Sequence, residues 1–241
     1  AIKVTIDKLR PAGGSPVRPS KVEKPQVEDP TEDPTEDPTE EPTEEPTGAG
    51  KFTDVEENDW FYSAVEFAVD NSLMFGTSEE EFNPHMNTTR GMIIAVLYRL
   101  EGSPAVERNT TFTDIDADDY YYDAVIWGQQ NGIISGFSAE EYVPDAFITR
   151  EQLIAIKHRY AQFKGYDIEH GEEVELHNYE DDHNVSDWAE ESMKYGVGSG
   201  LIYGKSESTI NPLDNATRAE FAAMIVRAMN MSSLTSDDES F

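Results

Sequence analysis

The chain has 241 residues, with 49 acidic against 18 basic side chains and a formal net charge of -31. A molecule this anionic is repelled by nucleic acid and by acidic membrane surfaces, and no apolar run approaches the ~18 residues of a membrane span. Cysteine is absent, which excludes disulfides and cysteine-based metal or thiol chemistry and is compatible with export.

The chain begins at Ala1 without a basic and apolar leader, as expected of a processed protein or of the end of a longer one. Within residues 1–26, Ala1 to Leu9 alternate apolar and polar at Ile2, Val4 and Ile6, and Pro-Ala-Gly-Gly and Pro-Val-Arg-Pro then isolate that strand-like piece. It reads as the end of an upstream domain or as a linker. Residues 27–50 form a linker with prolines at 30, 34, 38, 42 and 46 separated by Thr and acids. Proline favours extended backbone and like charges repel, so the segment is expected to be a semi-rigid spacer reaching roughly 60 Å at ~3.1 Å per residue.

From Phe52 the chain repeats itself. Phe52-Thr53-Asp54-Val55 returns as Phe112-Thr113-Asp114-Ile115 and, more loosely, as Tyr179-Glu180-Asp181-Asp182. An aromatic follows in each copy (Trp60, Tyr120, Trp188), then a helical segment (63–71, 123–131, 189–197) ending in a turn with Gly76, Gly136 or Gly204. An extended piece with Pro84, Pro144 or Pro212 leads to a second helix. That helix opens on Thr89-Arg90, Thr149-Arg150 or Thr217-Arg218.

Thr149 with Gln152 and Thr217 with Glu220 form capping boxes, so the threonines are helix N-caps and each arginine takes the first helical position. There the guanidinium stands beside backbone N–H groups that a helix start leaves unpaired, an arrangement suited to an anion. The first copy has Gly91-Met92 in place of the acid, so its cleft is expected to be less well ordered. Copy three carries Asp181-Asp182-His183 at its opening, which disfavours an anion unless Arg218 dominates. In the second helices Ile93, Leu153 and Phe221 correspond, as do Val96, Ile156 and Met224. Their spacing marks one buried face. A single two-helix unit buries too little to be stable, so the copies are expected to share one core. Their bounds are 51–103, 111–165 and 179–231, with a polar surface insert at 166–178 and a tail at 232–241.

Together these motifs resemble a triplet of S-layer homology domains, over nearly all of residues 52–230. The resemblance implies a mainly α fold, three helical hairpins in a three-pronged bundle with pseudo-threefold symmetry and clefts between adjacent repeats. It implies an exported protein of the Gram-positive-type bacterial surface. The module is expected to bind, without covalent bonds, a pyruvylated N-acetylmannosamine-containing secondary cell-wall polysaccharide attached to peptidoglycan. Carried over position by position, the ligand residues are Arg90, Arg150 and Arg218; Asp54, Asp114 and Asp181; Trp60, Tyr120 and Trp188; and Gly76, Gly136 and Gly204. The module is expected to be a monomer that needs no cofactor, binds no nucleic acid and does not enter the membrane. Two other readings stand beside it: a structural S-layer assembly or protein-interaction module, and the tether of an upstream surface enzyme.

Each of these residues also has a structural role open to it. An arginine can brace the bundle, and an aspartate can cap a helix or turn. An aromatic can pack in the core or stack on a sugar ring. Arg99, Arg159 and Arg227 recur near the ends of the second helices, where a cation complements the dipole. The acidic run from Asp114 to Asp119 lacks the glycine and the final glutamate of a calcium loop. His170, His177 and His183 show no ligand spacing, and no nucleophile with a base and no glycine-rich phosphate loop is present, so no catalysis is expected.

Overall fold

The computed structural model describes residues 48–171 and 173–235. The readings of residues 1–26, of the spacer over 27–47 and of 236–241 lie outside the described residues. Among the described residues six α-helices occur, in pairs: α1 (Tyr62–Asp70) and α2 (Arg90–Leu100), α3 (Tyr122–Gln130) and α4 (Arg150–Lys164), α5 (Glu190–Gly198) and α6 (Arg218–Thr235). No described segment forms a strand, and no described helix is long and apolar enough to cross a membrane. The fold is mainly α, as the repeats imply.

The capping threonines start the second helices as expected. Thr149 Oγ1 accepts from Gln152 N while the Gln152 side chain accepts from Thr149 N, closing the capping box. Thr217 and Glu220 do the same in α6. Thr89 still accepts from Met92 N in α2, although the acid is missing. Gly91 has a use of its own: a Cβ there would lie 2.8 Å from the Tyr121 ring. The glycine that weakens the helix start lets the next repeat approach it.

Helix packing runs between repeats. α2 packs on α3, α4 on α5, and α6 returns to α1. Gly128 in α3 and Gly196 in α5 make this contact close, since a Cβ at either would meet Ile94 or Ile154 under 3.0 Å. The extended pieces meet in a closed cycle of backbone bonds. Thr88 N donates to Ala216 O, Ala216 N to Ile148 O, and Ile148 N to Thr88 O, each between 2.8 and 3.0 Å. The core is therefore one continuous cluster drawn from all three repeats.

Three boundaries differ from expectation, the first being that α6 runs to Thr235, into the expected tail at 232–241. Ala49, at the end of the expected linker, is fully buried in the turn Gly48–Lys51, which packs on α1. The 166–178 segment is no simple surface excursion: Leu176 is buried, Tyr166, Ile168 and Val174 pack against the core, and Gly171 sits against the α5 backbone. Its apolar residues follow no helical period, which hid them.

Candidate functional site

The three motif arginines are buried, at 7% (Arg90), 4% (Arg150) and 6% (Arg218) exposure. Each reaches into the following repeat. Arg90 donates from Nε to Tyr142 O and from Nη2 to Ser135 O, at 2.9 and 2.8 Å. Arg150 donates likewise to Ile210 O and Tyr203 O, at 3.0 and 2.7 Å. Arg218 closes the ring on Phe82 O and Phe75 O, at 2.9 and 2.6 Å. The Arg90 and Arg218 guanidiniums also lie over the Tyr142 and Phe82 rings. Burial lowers the pKa of all three arginines. The bracing role is thus present in every repeat.

The backbone N–H groups of these helix starts are not available to an anion. Arg90 N donates to Ala146 O and Gly91 N to Pro144 O. The second copy uses Asp214 O and Pro212 O, and the third uses Met86 O and Pro84 O. With the third N–H taken by the cap hydroxyl, the first turn is satisfied by the neighbouring repeat. The local reading of an open helix terminus fails because these acceptors lie far away in the chain.

Beside each guanidinium, however, a cleft opens that draws on all three repeats. The first is lined by Phe75 and Gly76, Met92 and Arg99 of repeat one, Tyr120 of repeat two and Arg218 of repeat three. In the second, Gly136, Phe137, Gln152 and Arg159 of repeat two face Arg90 and Trp188. In the third, Tyr203, Gly204, Glu220 and Arg227 of repeat three face Arg150 and Trp60. The rule is constant: turn and second helix from one repeat, arginine from the preceding one, aromatic from the following one. Cavity volumes of about 470, 240 and 280 Å³ suit one small ligand each.

Trp60, Tyr120 and Trp188 are exposed, and so are Phe75, Phe137 and Tyr203 opposite them. Each cleft therefore presents two aromatic walls. The second aromatic escapes a positional reading because it precedes the glycine at Phe75 and Tyr203 but follows it at Phe137. Gly76, Gly136 and Gly204 line the clefts, and their want of a side chain has a local cause. A Cβ at Gly136 would meet Ser138 O at 2.3 Å and the Phe112 ring at 2.5 Å, and the other two are as tight.

Asp54, Asp114 and Asp181 are not brought into the clefts. Asp54 accepts from Phe82 N and Asn83 N, Asp114 from Tyr142 N and Val143 N, and Asp181 from Ile210 N and Asn211 N. These carboxylates hold the extended pieces whose carbonyls bind the arginines. Sequence reasoning missed the part of Arg99, Arg159 and Arg227, which line the three clefts. Arg99 and Arg227 donate to Leu73 O and Leu201 O. Arg159 makes no hydrogen bond or ion pair among the described residues; burial and then the charge of Arg90 lower its pKa. Two guanidiniums lining one cleft without a lining carboxylate suit an anion. No group of three or more His, Cys, Asp or Glu among the described residues could hold a metal ion.

Comparison with known proteins finds the S-layer homology domain at residues 51–91, 111–154 and 178–222. An amylopullulanase of Thermoanaerobacterium thermosulfurigenes is 29% identical over 175 residues, which is 72% of this chain and 9% of that protein. Exoglucanase XynX of Acetivibrio thermocellus is 28% identical over 72% of this chain and 16% of its own length. The Surface-layer 125 kDa protein of Lysinibacillus sphaericus is 28% identical over 69% of this chain and 14% of its own. The chain thus spans less than a fifth of the length of these relatives.

Proposed function

The chain belongs to the S-layer homology family, whose domains are cell-wall anchoring modules of S-layer proteins and surface enzymes, and from that premise we propose a ligand for its clefts. The ligand is an acidic unit of a secondary cell-wall polymer, of the pyruvylated N-acetylmannosamine kind. The observation that carries this reading is the pairing of Arg90 with Arg159 in a cleft without a lining carboxylate, walled by Phe137 and Trp188. A ketal-bearing sugar brings a carboxylate for the guanidiniums and a ring face for the aromatics. At a Debye length of ~8 Å in physiological salt, the acids elsewhere on the protein are largely screened. Weak sites on one rigid body gain avidity against a repeating polymer.

In this reading the repeats hold an exported protein on the wall and carry out no chemical step, and whatever adjoins them is displayed at the surface. Sedimentation with purified cell walls tests it. Binding is expected to disappear when the ketal is hydrolysed from the polymer and the peptidoglycan is left intact. Binding that survives ketal removal refutes the ligand assignment and favours a protein-facing role for the clefts.

A further inference from the structure

The second cleft differs from the other two in which of its arginines is covered. Besides the motif arginine, each cleft has one from its own second helix, Arg99, Arg159 or Arg227, and all three are half-buried. Arg99 donates from Nη1 to Leu73 O at 2.9 Å and lies over the Phe75 ring, 5.0 Å from its centroid. Arg227 repeats this on Leu201 O at 3.2 Å and over the Tyr203 ring at 4.5 Å. Both guanidiniums are thus tethered at an edge and covered on a face.

Arg159 has neither restraint among the described residues. Ser135 stands directly before the glycine, where the other repeats have Phe75 and Tyr203, and the ring has moved to Phe137, directly after it. Phe137 lies against the motif arginine instead, 5.8 Å from the Arg90 guanidinium, which also lies over the Tyr142 ring. The backbone frame is the same in all three turns. Ser135 O accepts from Arg90 Nη2 as Phe75 O does from Arg218 and Tyr203 O from Arg150. A Cβ at Gly76 or Gly136 would meet Ser78 O or Ser138 O at 2.4 or 2.3 Å. The exchange is therefore one of side chains alone. Drawing Arg99 or Arg227 onto a ligand forfeits a carbonyl bond and a ring contact, which offsets what the ligand returns. Arg159 forfeits neither, and an acid group beside it and Arg90 relieves the repulsion between these two cations.

We propose, on the reading just given, that Ser135 and Phe137 leave Arg159 uncovered and so make it a ligand-binding arginine in the second cleft, whereas Arg99 and Arg227 are fixed parts of the wall. The acid group is there held by two arginines. In the first cleft it is left to Arg218, and in the third to Arg150 and Lys205. The side of the glycine on which the aromatic stands thus sets which arginines meet the ligand.

The full chain is titrated with the pyruvate-ketal methyl glycoside of N-acetylmannosamine, following the indole N–H signals by NMR. Trp188 reports the second cleft and Trp60 the third, while the buried Trp127 marks an intact fold. Arg159→Gln is expected to weaken the Trp188 response about tenfold and leave that of Trp60 unchanged, whereas Arg227→Gln should weaken the Trp60 response less than about threefold. Ser135→Phe with Phe137→Thr gives repeat two the Phe75-Gly76-Thr77 turn of repeat one. In that background, adding Arg159→Gln should weaken the Trp188 response less than about threefold. Equal losses from Arg159→Gln and Arg227→Gln, or a tenfold loss from Arg159→Gln in both backgrounds, would overturn the assignment and leave the glycan reading intact. No response of either indole in the unaltered chain overturns the glycan reading and the inference with it.

Discussion

Arg218 Nη2 donates to the carbonyl of Phe75 across 143 positions of the chain, at 2.6 Å. This bond and its partner on Phe82 O lock the third repeat to the first, as Arg90 and Arg150 lock the other junctions. Arg218→Ala leaves two carbonyls without their charged donor and is expected to cost about 3 kcal/mol of stability. Because α1 packs on α6, α1 amides should lose hydrogen-exchange protection along with those of α6. A loss under about 1 kcal/mol in chemical denaturation would contradict the bracing role.

Arg159 gives the complementary case. It lines the Arg90 cleft without a hydrogen bond among the described residues, so removing its charge should cost the fold little. Arg159→Gln is expected to weaken wall binding by about tenfold, with stability changed by less than about 1 kcal/mol. Sedimentation with cell walls and thermal denaturation measure the two effects separately. If stability and binding fall in proportion, the residue is structural.

What the sequence made legible was local. The threonine caps, the arginine at the first helical position and the triplication depend on residues within a few positions of one another, and all are present. The partners of those arginines are not local: they lie 45 to 143 residues away, in carbonyls that carry no side-chain signal. For the same reason the helix N–H groups looked open when Pro84, Pro144 and Pro212 supply their acceptors. Asp54, Asp114 and Asp181 are a further case, because a carboxylate that ties backbone to backbone looks the same in sequence as one that faces a ligand. Arg99, Arg159 and Arg227 invited a dipole explanation, and only the cyclic packing of repeats turns them towards a cleft.

Two glycines of the second repeat separate steric need from backbone need. A Cβ at Gly136 would lie 2.3 Å from Ser138 O, whereas at Gly132, with φ +68, it would meet nothing within 4 Å. Gly132→Ala is therefore expected to cost about 1 kcal/mol, for left-handed backbone alone. Gly136→Ala must displace both backbone and the Phe112 ring and should cost about 2 to 3 kcal/mol. Equal losses in urea denaturation would show that the close approach relaxes cheaply.

Val143 has φ 56, in the left-handed region that Asn83 and Asn211 occupy at the matching positions with φ 57 and 49. Asparagine tolerates this backbone and a β-branched side chain does not. Asp114 holds Val143 there by accepting its N–H at 2.7 Å. Val143→Asn is expected to stabilise the protein by about 1 kcal/mol, read as a raised denaturation midpoint with an unchanged slope. A lowered midpoint would mean that the valine side chain contributes packing that outweighs the strain.

Lys157, on α4, is 2% exposed, and its Nζ has no hydrogen-bond partner. The matching residues of the other repeats are Leu97 and Ile225, both fully buried. Lys157 Nζ lies over the Tyr160 ring, 5.3 Å from the centroid. Burial alone lowers the Lys157 pKa from 10.5 to about 8. The unfolded chain therefore binds the extra proton between these two values, so stability should rise with pH from about 8 towards 10.5, and the full penalty should be present below 8. That penalty is about 3 kcal/mol, of which Lys157→Met should recover a large part at pH 7. Burial raises the Tyr160 pKa in both proteins, so the difference between their stability curves isolates the lysine. Parallel curves from pH 7 to 10 would show that the amine carries no folded-state penalty and reaches solvent or an anion.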